Sequence, residues 1–233
     1  MKNVIGLLML SYGILSHAGT MGSVIDKTPV PYLQGEALYS WNQIKNINSN
    51  GLIPSLSKEY WGGRLSGGVI RPYNERILFN AEVGGGYYGG ATRRVPGVID
   101  NHLTIDGYDV LLGIIYKLQY FDVYGDIGFM AQNLSQKTTL TASSAVTGGA
   151  NQNSVIEENG THVLPEIKVG GLYHLIKNLD LSLSYMYVFG YKNYSTSSNI
   201  APSGVTPATT NQAKYGKNPA LSTLFLGLRY YFF

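Results

Sequence analysis

A period-two alternation of apolar and polar side chains runs through most of this sequence and constrains its fold more than any other feature. In the segment 180–187, Leu181, Leu183 and Tyr185 are separated by single serines. Successive residues of a β-strand point to opposite faces, so this alternation predicts strands. Eight such segments occur, each about ten to thirteen residues long, which exceeds the usual globular strand. They are 32–41, 61–71, 76–88, 107–118, 121–132, 163–175, 180–191 and 221–233.

The two faces of these predicted strands differ in charge. One face is rich in Leu, Ile, Val and aromatic residues and carries no charged side chain in any of the eight segments. The opposite face holds the charges, with Gly, Ser, Asn and Gln filling much of the remainder. The charged positions on that face are Glu36, Arg64, Arg76, Glu82, Asp109, Lys117, Asp122, Asp126, Glu166, Lys168, Asp180 and Arg229.

The volume of a small barrel decides which face points outward. An eight-stranded barrel has an interior only wide enough to be filled by side chains. The many Tyr, Phe, Trp and Leu residues of the uncharged face would overfill it, whereas the smaller, glycine-rich face fits inside. The uncharged face then lies in lipid, and alternation with the apolar face outward is typical of transmembrane β-barrels. The sequence therefore predicts an all-β, eight-stranded antiparallel transmembrane barrel.

The connections between the segments alternate between long and short. Short connections are centred near Tyr73, Gln119 and Lys177. Long ones span about 42–60, 89–106, 133–162 and 192–220. Bacterial outer-membrane barrels have short periplasmic turns and long external loops. The pattern predicts three periplasmic turns, four long external loops and both chain ends on the periplasmic side.

Aromatic residues cluster toward both ends of the predicted strands, as they do at the two membrane–water interfaces. Toward the external ends these girdle residues are Trp41, Trp61, Tyr87, Tyr108 and Tyr187. Toward the periplasmic ends they are Tyr116, Phe121 and Tyr173.

The last segment, G-L-R-Y-Y-F-F, resembles the aromatic C-terminal strand of outer-membrane barrels. Leu228, Tyr230 and Phe232 share its lipid face, and Phe233 adds one residue of the other parity. The mature chain as a whole is similar to small eight-stranded outer-membrane barrels, namely the OmpA-type transmembrane domain and the opacity-type surface antigens. This resemblance implies recognition by the barrel-insertion machinery, with Phe232 or Phe233 as the terminal signal residue. It also implies a location in the outer membrane of a Gram-negative bacterium, in contact with outer-membrane lipid and lipopolysaccharide.

The first eighteen residues have the composition of a signal peptide. Lys2 precedes an apolar stretch over 4–15, and Ser16-His17-Ala18 supplies the small residues of a cleavage site. We expect residues 1–18 to be removed and 19–233 to form the barrel; a buried N-terminal helix is the alternative. The chain has no cysteine, which excludes disulfides and thiolate metal sites. A formal charge of +3 is too small to predict nucleic-acid binding.

The charged residues of the inward face predict an internal network. If the short turns are centred as above, Arg64 lies opposite Glu82, Lys117 opposite Asp122, and His174 opposite Asp180 at the periplasmic rim. The predicted interior network comprises Glu36, Arg64, Glu82, Asp109, Lys117, Asp122, Asp126, Glu166, Lys168 and Arg229. These charges favour a polar plug inside the barrel, and a narrow pore is the alternative.

An enzyme is a weaker interpretation. Some eight-stranded barrels modify lipopolysaccharide acyl chains with a His–Ser pair near the external leaflet. Here His102 and His162 lie in or beside predicted external loops and His174 at the other end, with no nucleophile–base–orienter set visible. No metal site or cofactor is predicted. The polar loops would then carry the function by binding a host or envelope ligand, and Lys192, Lys214 and Lys217 could meet lipopolysaccharide phosphates.

Overall fold

The computed structural model describes residues 28–42, 44–49, 55–95, 99–142, 152–190, 194–198 and 218–232. These contain eleven β-strands. They are β1 (Val30–Asn42), β2 (Ile44–Ser49), β3 (Ser55–Glu59), β4 (Trp61–Pro72), β5 (Ile77–Val95), β6 (Ile99–Lys117), β7 (Phe121–Ala142), β8 (Gln152–Ile176), β9 (Leu179–Val188), β10 (Tyr194–Ser198) and β11 (Leu221–Tyr231). No helix in the described part of the chain is long and apolar enough to span a membrane.

Eight of these strands close into one antiparallel barrel. Around the sheet they follow the order β5-β4-β1-β11-β9-β8-β7-β6, and pairing between β5 and β6 completes the ring. The first and last barrel strands pair from Tyr32 opposite Tyr231 to Asn42 opposite Leu221. Strand β3 lies beside the far end of β5, while β2 and β10 form a separate parallel pair. The predicted all-β, eight-stranded antiparallel barrel is confirmed.

The apolar face of each barrel strand points outward, as the alternation predicts. Along β6, Val110, Leu112 and Ile114 are exposed, and buried Asp109 and Leu111 alternate with them. The other barrel strands expose Leu, Ile, Val and aromatic residues with the same period. Closure satisfies the backbone hydrogen bonds of all eight strands, so the outward surface can lie in hydrocarbon. The chain therefore has the architecture of a transmembrane β-barrel.

The two ends of the barrel differ. Three short connections, between β4 and β5, β6 and β7, and β8 and β9, meet at one end, here called the turn end. At the opposite end, β5 to β8 continue well past their neighbours. They have 19 to 25 residues, whereas β9 and β11 have 10 and 11. A tilted strand crosses a bilayer with about 9–11 residues, so one side of the wall rises beyond the membrane. We call this end the ribbon end.

Two of the predicted loops are wrong, because β5 to β8 extend through them. The segments 89–106 and 133–162 were expected to be loops, yet 89–95, 99–106, 133–142 and 152–162 belong to paired strands. The predicted strands end where the outward apolar residues stop. Above that level the outward residues are Thr, Asn, Asp and Ser, which are polar but still pair across a ladder because neighbouring strands supply backbone partners on both sides.

The first short turn has a different centre from the one predicted. Arg64 lies opposite Gly86 and Gly68 opposite Glu82, so Arg64 and Glu82 are not direct register partners. The carboxamide oxygen of Asn74 accepts hydrogen bonds from the backbone N–H groups of Arg76 and Ile77, at 2.9 and 2.7 Å. Because the Asn74 side chain closes the turn in this way, the centre of the turn lies further toward the C-terminus than Tyr73. The other two turns give the expected register, with Lys117 opposite Asp122 and His174 opposite Asp180.

Candidate functional site

A layer of buried charges crosses the barrel at mid-depth, with Arg64 at its centre. From β4, its guanidinium donates from Nε to Asp109 Oδ2 at 2.8 Å and from Nη1 to Glu36 Oε2 at 2.6 Å. Nη2 contacts Asp109 Oδ1 and lies 2.7 Å from Glu82 Oε1. Arg64 therefore joins strands β1, β5 and β6 through three carboxylates, using the fixed fork geometry of the guanidinium.

Lys168 and Arg229 extend this layer from the other side of the barrel. The Lys168 ammonium lies 3.0 and 3.2 Å from the two oxygens of Glu36 and 3.4 Å from Glu82 Oε1. The Arg229 guanidinium lies 3.4 Å from Glu82 Oε2 and stacks over the ring of Tyr32, with 4.2 Å to the ring centre. Both cations are fully buried. Strands that are far apart in sequence are thus held together by charge-assisted hydrogen bonds in a region of low dielectric.

Carboxylates outnumber cations in this layer. Of the seven buried acidic side chains among the described residues, five lie in this layer (Glu36, Glu82, Asp109, Asp126 and Glu166), and they face three buried basic ones. Asp126 accepts a hydrogen bond from Asn80 on Oδ1 but has no partner on Oδ2. Glu166 is 2% exposed, and neither of its carboxylate oxygens has a hydrogen-bond partner. The carboxyl groups in excess over the cations are therefore Asp126 and Glu166, and Glu166 is the one with no partner on either oxygen.

Above the charge layer, toward the ribbon end, apolar side chains make up most of the interior, and Ser40, Gln132 and Thr223 are also buried there. Tyr88, Met130, Phe225 and their neighbours are essentially inaccessible and pack against one another across the barrel. The members of this upper cluster are Leu38, Tyr88, Ala91, Leu103, Ile105, Met130, Leu134, Met186, Val188, Leu221 and Phe225. Asn218 and Pro219 cover it: the Asn218 amide donates to Gln132 O at 2.8 Å, and the Gln132 amide donates to Pro219 O at 3.2 Å. The ribbon end of the interior is closed by this packing.

A second apolar cluster closes the interior below the charge layer. The lower cluster consists of Tyr32, Ile70, Leu78, Ile115, Tyr124, Leu172 and Tyr231. Two of its three tyrosines turn their hydroxyls toward carboxylates: Tyr32 donates to Glu82 at 2.6 Å and Tyr231 to Asp180 at 2.7 Å. The interior is therefore built as an apolar layer, a charged layer and another apolar layer.

Both apolar clusters differ from the prediction, in which the inward face holds polar and charged residues. In the sequence, the two clusters are indicated by positions where the period-two alternation fails locally. In V-L-L-G-I-I over 110–115, the inward positions Leu111 and Ile115 are as apolar as their outward neighbours. Phe225 and Met186 break the alternation of their strands in the same way. A position where both faces are apolar indicates a strand that is buried inside as well as lipid-covered outside.

Nine of the ten residues predicted for the interior network are buried, and Lys117 is exposed. The structure brings six of them into direct contact: Glu36, Arg64, Glu82, Asp109, Lys168 and Arg229. Arg64 and Glu82 meet although they are not register partners, because the long guanidinium reaches diagonally across the ladder.

At the turn end, His174 lies between two carboxylates. Its Nδ1 is 2.8 Å from Asp180 Oδ1, and its Nε2 is 3.4 Å from Asp122 Oδ1. Asp122 was expected to pair with Lys117, which is its register partner, and His174 also lies beside it. The imidazole is 46% exposed and follows the girdle residue Tyr173, outside the membrane-spanning part of β8. Burial lowers the pKa of His174, but hydrogen bonding and attraction to Asp180 and Asp122 outweigh it, so the pKa is raised.

The predicted girdle residues lie on the outward surface at both ends of the barrel. Trp61 and Tyr108 are 71% and 73% exposed near the ribbon end. Trp41 is also exposed at this end, and Tyr87 and Tyr187 are half-buried. Near the turn end, Tyr116, Phe121 and Tyr173 are exposed. In β11, Leu228 and Tyr230 face outward with Phe232 after them, and Tyr230 packs edge-on against Phe232 with ring centres 5.1 Å apart. Phe233, like residues 1–18 and Lys192, Lys214 and Lys217, lies outside the described residues.

One histidine on the ribbons has a hydroxyl partner. The Thr92 hydroxyl is 2.8 Å from His102 Nδ1, across the β5–β6 ladder. Within the described ranges, no group of three His, Cys, Asp or Glu side chains could hold a metal ion. The pair alone lacks the orienting group and oxyanion donors that nucleophilic catalysis requires.

Comparison with known proteins identifies similar folds. No protein-family model and no curated protein matches the chain. Among solved structures, Ail, the attachment invasion locus protein of Yersinia pestis, is 14% identical, with 89% of this chain and 100% of that chain covered and a TM-score of 0.46. Neisserial surface protein A is 16% identical, with 87% and 97% covered and a TM-score of 0.39. The outer membrane protease OmpT of Escherichia coli is 9% identical, with 91% and 99% covered and a TM-score of 0.42.

These likenesses concern the fold alone. The closed eight-stranded ring and its apolar outer surface give this chain the fold of an outer-membrane β-barrel, the class that its sequence resembles. A protease is one of the similar structures, and a shared fold does not decide whether a chain is an enzyme.

Proposed function

We propose that this chain is a non-enzymatic outer-membrane protein of a Gram-negative bacterium, whose closed barrel serves as a rigid base for a surface-exposed binding structure. The observation that carries this proposal is the filled interior. An apolar layer, a charged layer and a second apolar layer follow one another along the barrel axis, and the side chains of all three are buried.

A filled interior argues against solute passage. A pore needs a continuous wet path, and eight strands leave room for little beyond side chains. Here the middle layer is cross-linked by Arg64, Lys168 and Arg229. Opening a path would separate buried ion pairs, which costs several kcal/mol for each ion left unpaired.

The orientation follows from the two ends. The short turns and both described chain ends lie at the turn end, which we place in the periplasm, as in bacterial barrels with short periplasmic turns. We assign residues 1–18 to a signal peptide that directs export, and Leu228, Tyr230 and Phe232, with Phe233, to recognition by the barrel-insertion machinery.

The ribbon end would then face the environment. Strands β5 to β8 form a continuous sheet that rises beyond the membrane on one side of the barrel. Residues presented by a paired sheet are held more rigidly than loop residues, which lowers the entropic cost of binding. We assign to this sheet and its connections the binding of a host or envelope ligand.

A planar-bilayer recording tests the closed interior. Refolded protein should insert without producing reproducible single-channel steps, while a larger porin in the same membrane serves as the positive control. Two separate measurements verify that the barrel has folded and inserted. They are the difference in electrophoretic mobility between heated and unheated samples, and the β-sheet circular dichroism signal.

A small porin is the second candidate, and the unpartnered oxygens of Glu166 and Asp126 favour it, because buried carboxylates without protein partners are usually hydrated. Single-channel steps whose size changes in Arg64→Ala would overturn the closed interior and establish the porin.

A further inference from the structure

Strand β8 has a paired neighbour on only one side over its upper half. Its pairing with β7 continues without a register shift up to Ala142 opposite Gln152. Its pairing with β9 ends where Glu166 lies opposite Val188. The next described strand after β9 is β10, which pairs with β2 instead. Among the described strands, none pairs with the β9-facing side of residues 152–164, which we call the open edge.

At every second residue of the open edge, the backbone is directed away from β7. Just below this edge, the Phe189 N–H donates to the carbonyl of Pro165 at 2.9 Å, so the Pro165 carbonyl points toward β9. In a regular strand the N–H and C=O of one residue point to the same side, and successive residues alternate. Val163, Thr161 and Asn159 therefore direct their N–H and C=O groups to the open edge, and the same alternation continues up the strand.

The two edges of the sheet at the ribbon end differ in their protection. Natural proteins keep edge strands from pairing with other chains by making them short or by placing Lys, Pro or a bulge in them. The edge opposite β8 is β3, which has 5 residues and includes Lys58. Over 152–164 the sequence contains neither Lys nor Pro. At about 3.3 Å per residue the open edge is about 40 Å long, so an unprotected edge of this length can pair with an added strand.

The outward side chains described at the open edge are neutral. Val163 is 67% exposed, and Thr161 and Asn159 are exposed as well. Apolar and hydroxyl side chains pair favourably with their like across antiparallel strands. The donors and acceptors of the edge repeat every two residues, and the backbone of an extended polypeptide has the same repeat. The chemistry of the edge therefore matches a polypeptide strand.

We propose that the open edge of β8 binds an extended polypeptide segment of another protein by β-strand addition, antiparallel to β8. Beyond the membrane, the added strand takes the place that β9 has within it, so the ladder between β8 and β9 is continued. Backbone hydrogen bonds supply the affinity, and the side chains opposite Val163 and Thr161 supply the selectivity. The inference rests on the proposed function and deepens it by naming a polypeptide as the ligand of the ribbon end.

A second copy of the chain in the same membrane does not fit this site. Its β8 would run in the same direction relative to the membrane, whereas continuation of the ladder between β8 and β9 requires an antiparallel neighbour. An extended segment that is not part of a barrel in this membrane can approach in the required direction. The partner is therefore a separate polypeptide.

Amide hydrogen exchange, measured by NMR on the refolded full chain in micelles, tests the pairing. The ligand used is a soluble peptide of alternating Val and Thr, as long as the open edge, with Lys at both ends. Its binding should slow exchange at Asn159, Thr161 and Val163 by about tenfold or more, because their N–H groups become paired. Gly160 and His162 already donate to β7 and should show no change. The same peptide with every backbone nitrogen methylated should have no effect.

Thr161→Pro removes one N–H group from the open edge, and Thr161→Val is the matched control that keeps it. Because the Thr161 N–H points away from β7, the proline should be tolerated, as it is in other edge strands. Fluorescence anisotropy of the labelled peptide measures binding. Thr161→Pro should weaken it by about tenfold or more, while Thr161→Val should bind as tightly as the natural protein.

Three results would overturn the proposal. They are equal slowing at even-numbered and odd-numbered residues, no slowing at all, and peptide binding that is unchanged in folded Thr161→Pro. Self-association of the protein that is lost in Thr161→Pro would also overturn it, by assigning the edge to a second copy. These measurements need neither a membrane orientation nor a closed interior, so their failure is distinguishable from single-channel steps in the bilayer recording.

Discussion

At the scale of single residues, two buried glutamates in the same interior have opposite environments. Glu36 contacts Arg64 and Lys168 and accepts a hydrogen bond from Gln34 at 2.7 Å. Glu166 has no hydrogen-bond partner on either oxygen. Replacing one member of a buried ion pair by a neutral side chain leaves its partners uncompensated, whereas replacing a carboxyl group that has no partner breaks no contact. The same conservative substitution should therefore have different effects at the two positions.

Glu36→Gln should lower the free energy of unfolding by about 3–5 kcal/mol, because Arg64 and Lys168 lose a shared carboxylate. Glu166→Gln should leave stability unchanged or raise it. Urea unfolding in lipid vesicles, followed by tryptophan fluorescence, measures both. Equal destabilisation by the two substitutions would contradict the finding that Glu166, unlike Glu36, has no partner in the interior.

His174 predicts a pH dependence at the turn end. Its raised folded pKa means that the protonated imidazole stabilises the folded state. This contribution is complete below the unfolded value of about 6.5 and is lost as pH rises through the higher folded value. Between these two values the natural protein should become less stable with rising pH. Unfolding midpoints measured across this window should show the slope, and His174→Gln should remove it while His162→Gln keeps it.

At the scale of elements, single strands pass from lipid to water without losing their pairing. In β6 the outward residues change from Leu112 and Val110 to Asp106 and Thr104, while β5 and β7 stay paired on both sides. Strand continuity is set by the backbone ladder, and the membrane boundary is set by side chains. The end of an apolar stretch therefore marks the membrane boundary and is a poor guide to the end of the strand.

Leu112→Lys should cost about 2–4 kcal/mol of unfolding free energy, because Leu112 faces lipid near mid-membrane. Thr104→Lys, on the same face of β6 but beyond its apolar outward residues, should change stability by about 0.5 kcal/mol or less. Vesicle-based urea titrations compare the two. A neutral Leu112→Lys would contradict the outward assignment of this face.

At the scale of the whole molecule, the interior and the outer surface have separate roles. Contacts within the three interior layers join strands from different parts of the ring. Strands β5 to β8, which are longer than the others, give the barrel one higher side. Both depend on closure, which brings β5 against β6 and β1 against β11. The part of the chain that the structure describes is therefore a closed barrel in which one side of the wall rises beyond the other at the ribbon end.

Trypsin treatment of intact cells tests the orientation of this cylinder. The bonds after Arg76 and Lys177 lie in the turns of the turn end, so they should stay uncut until the outer membrane is permeabilised. Lys214 and Lys217, in the connection between β9 and β11, should be accessible from outside. Cleavage at Arg76 or Lys177 in intact cells would reverse the proposed topology.

The strands, their facing and two of the three turn registers were predictable from sequence, because they depend on local properties. The period-two pattern fixes which side chains of a strand share a face, and short connections limit how two neighbours can pair. The outward row of Leu181, Leu183 and Tyr185 and the pairing of His174 with Asp180 both follow in this way.

What occupies the interior was decided by the tertiary structure. The contacts of Arg64 with Asp109, of Lys168 with Glu36, and of Phe225 with its apolar neighbours join strands from opposite sides of the ring. Their formation depends on strand stagger, on the Asn74 turn and on the reach of long side chains, and none of these is encoded in one strand.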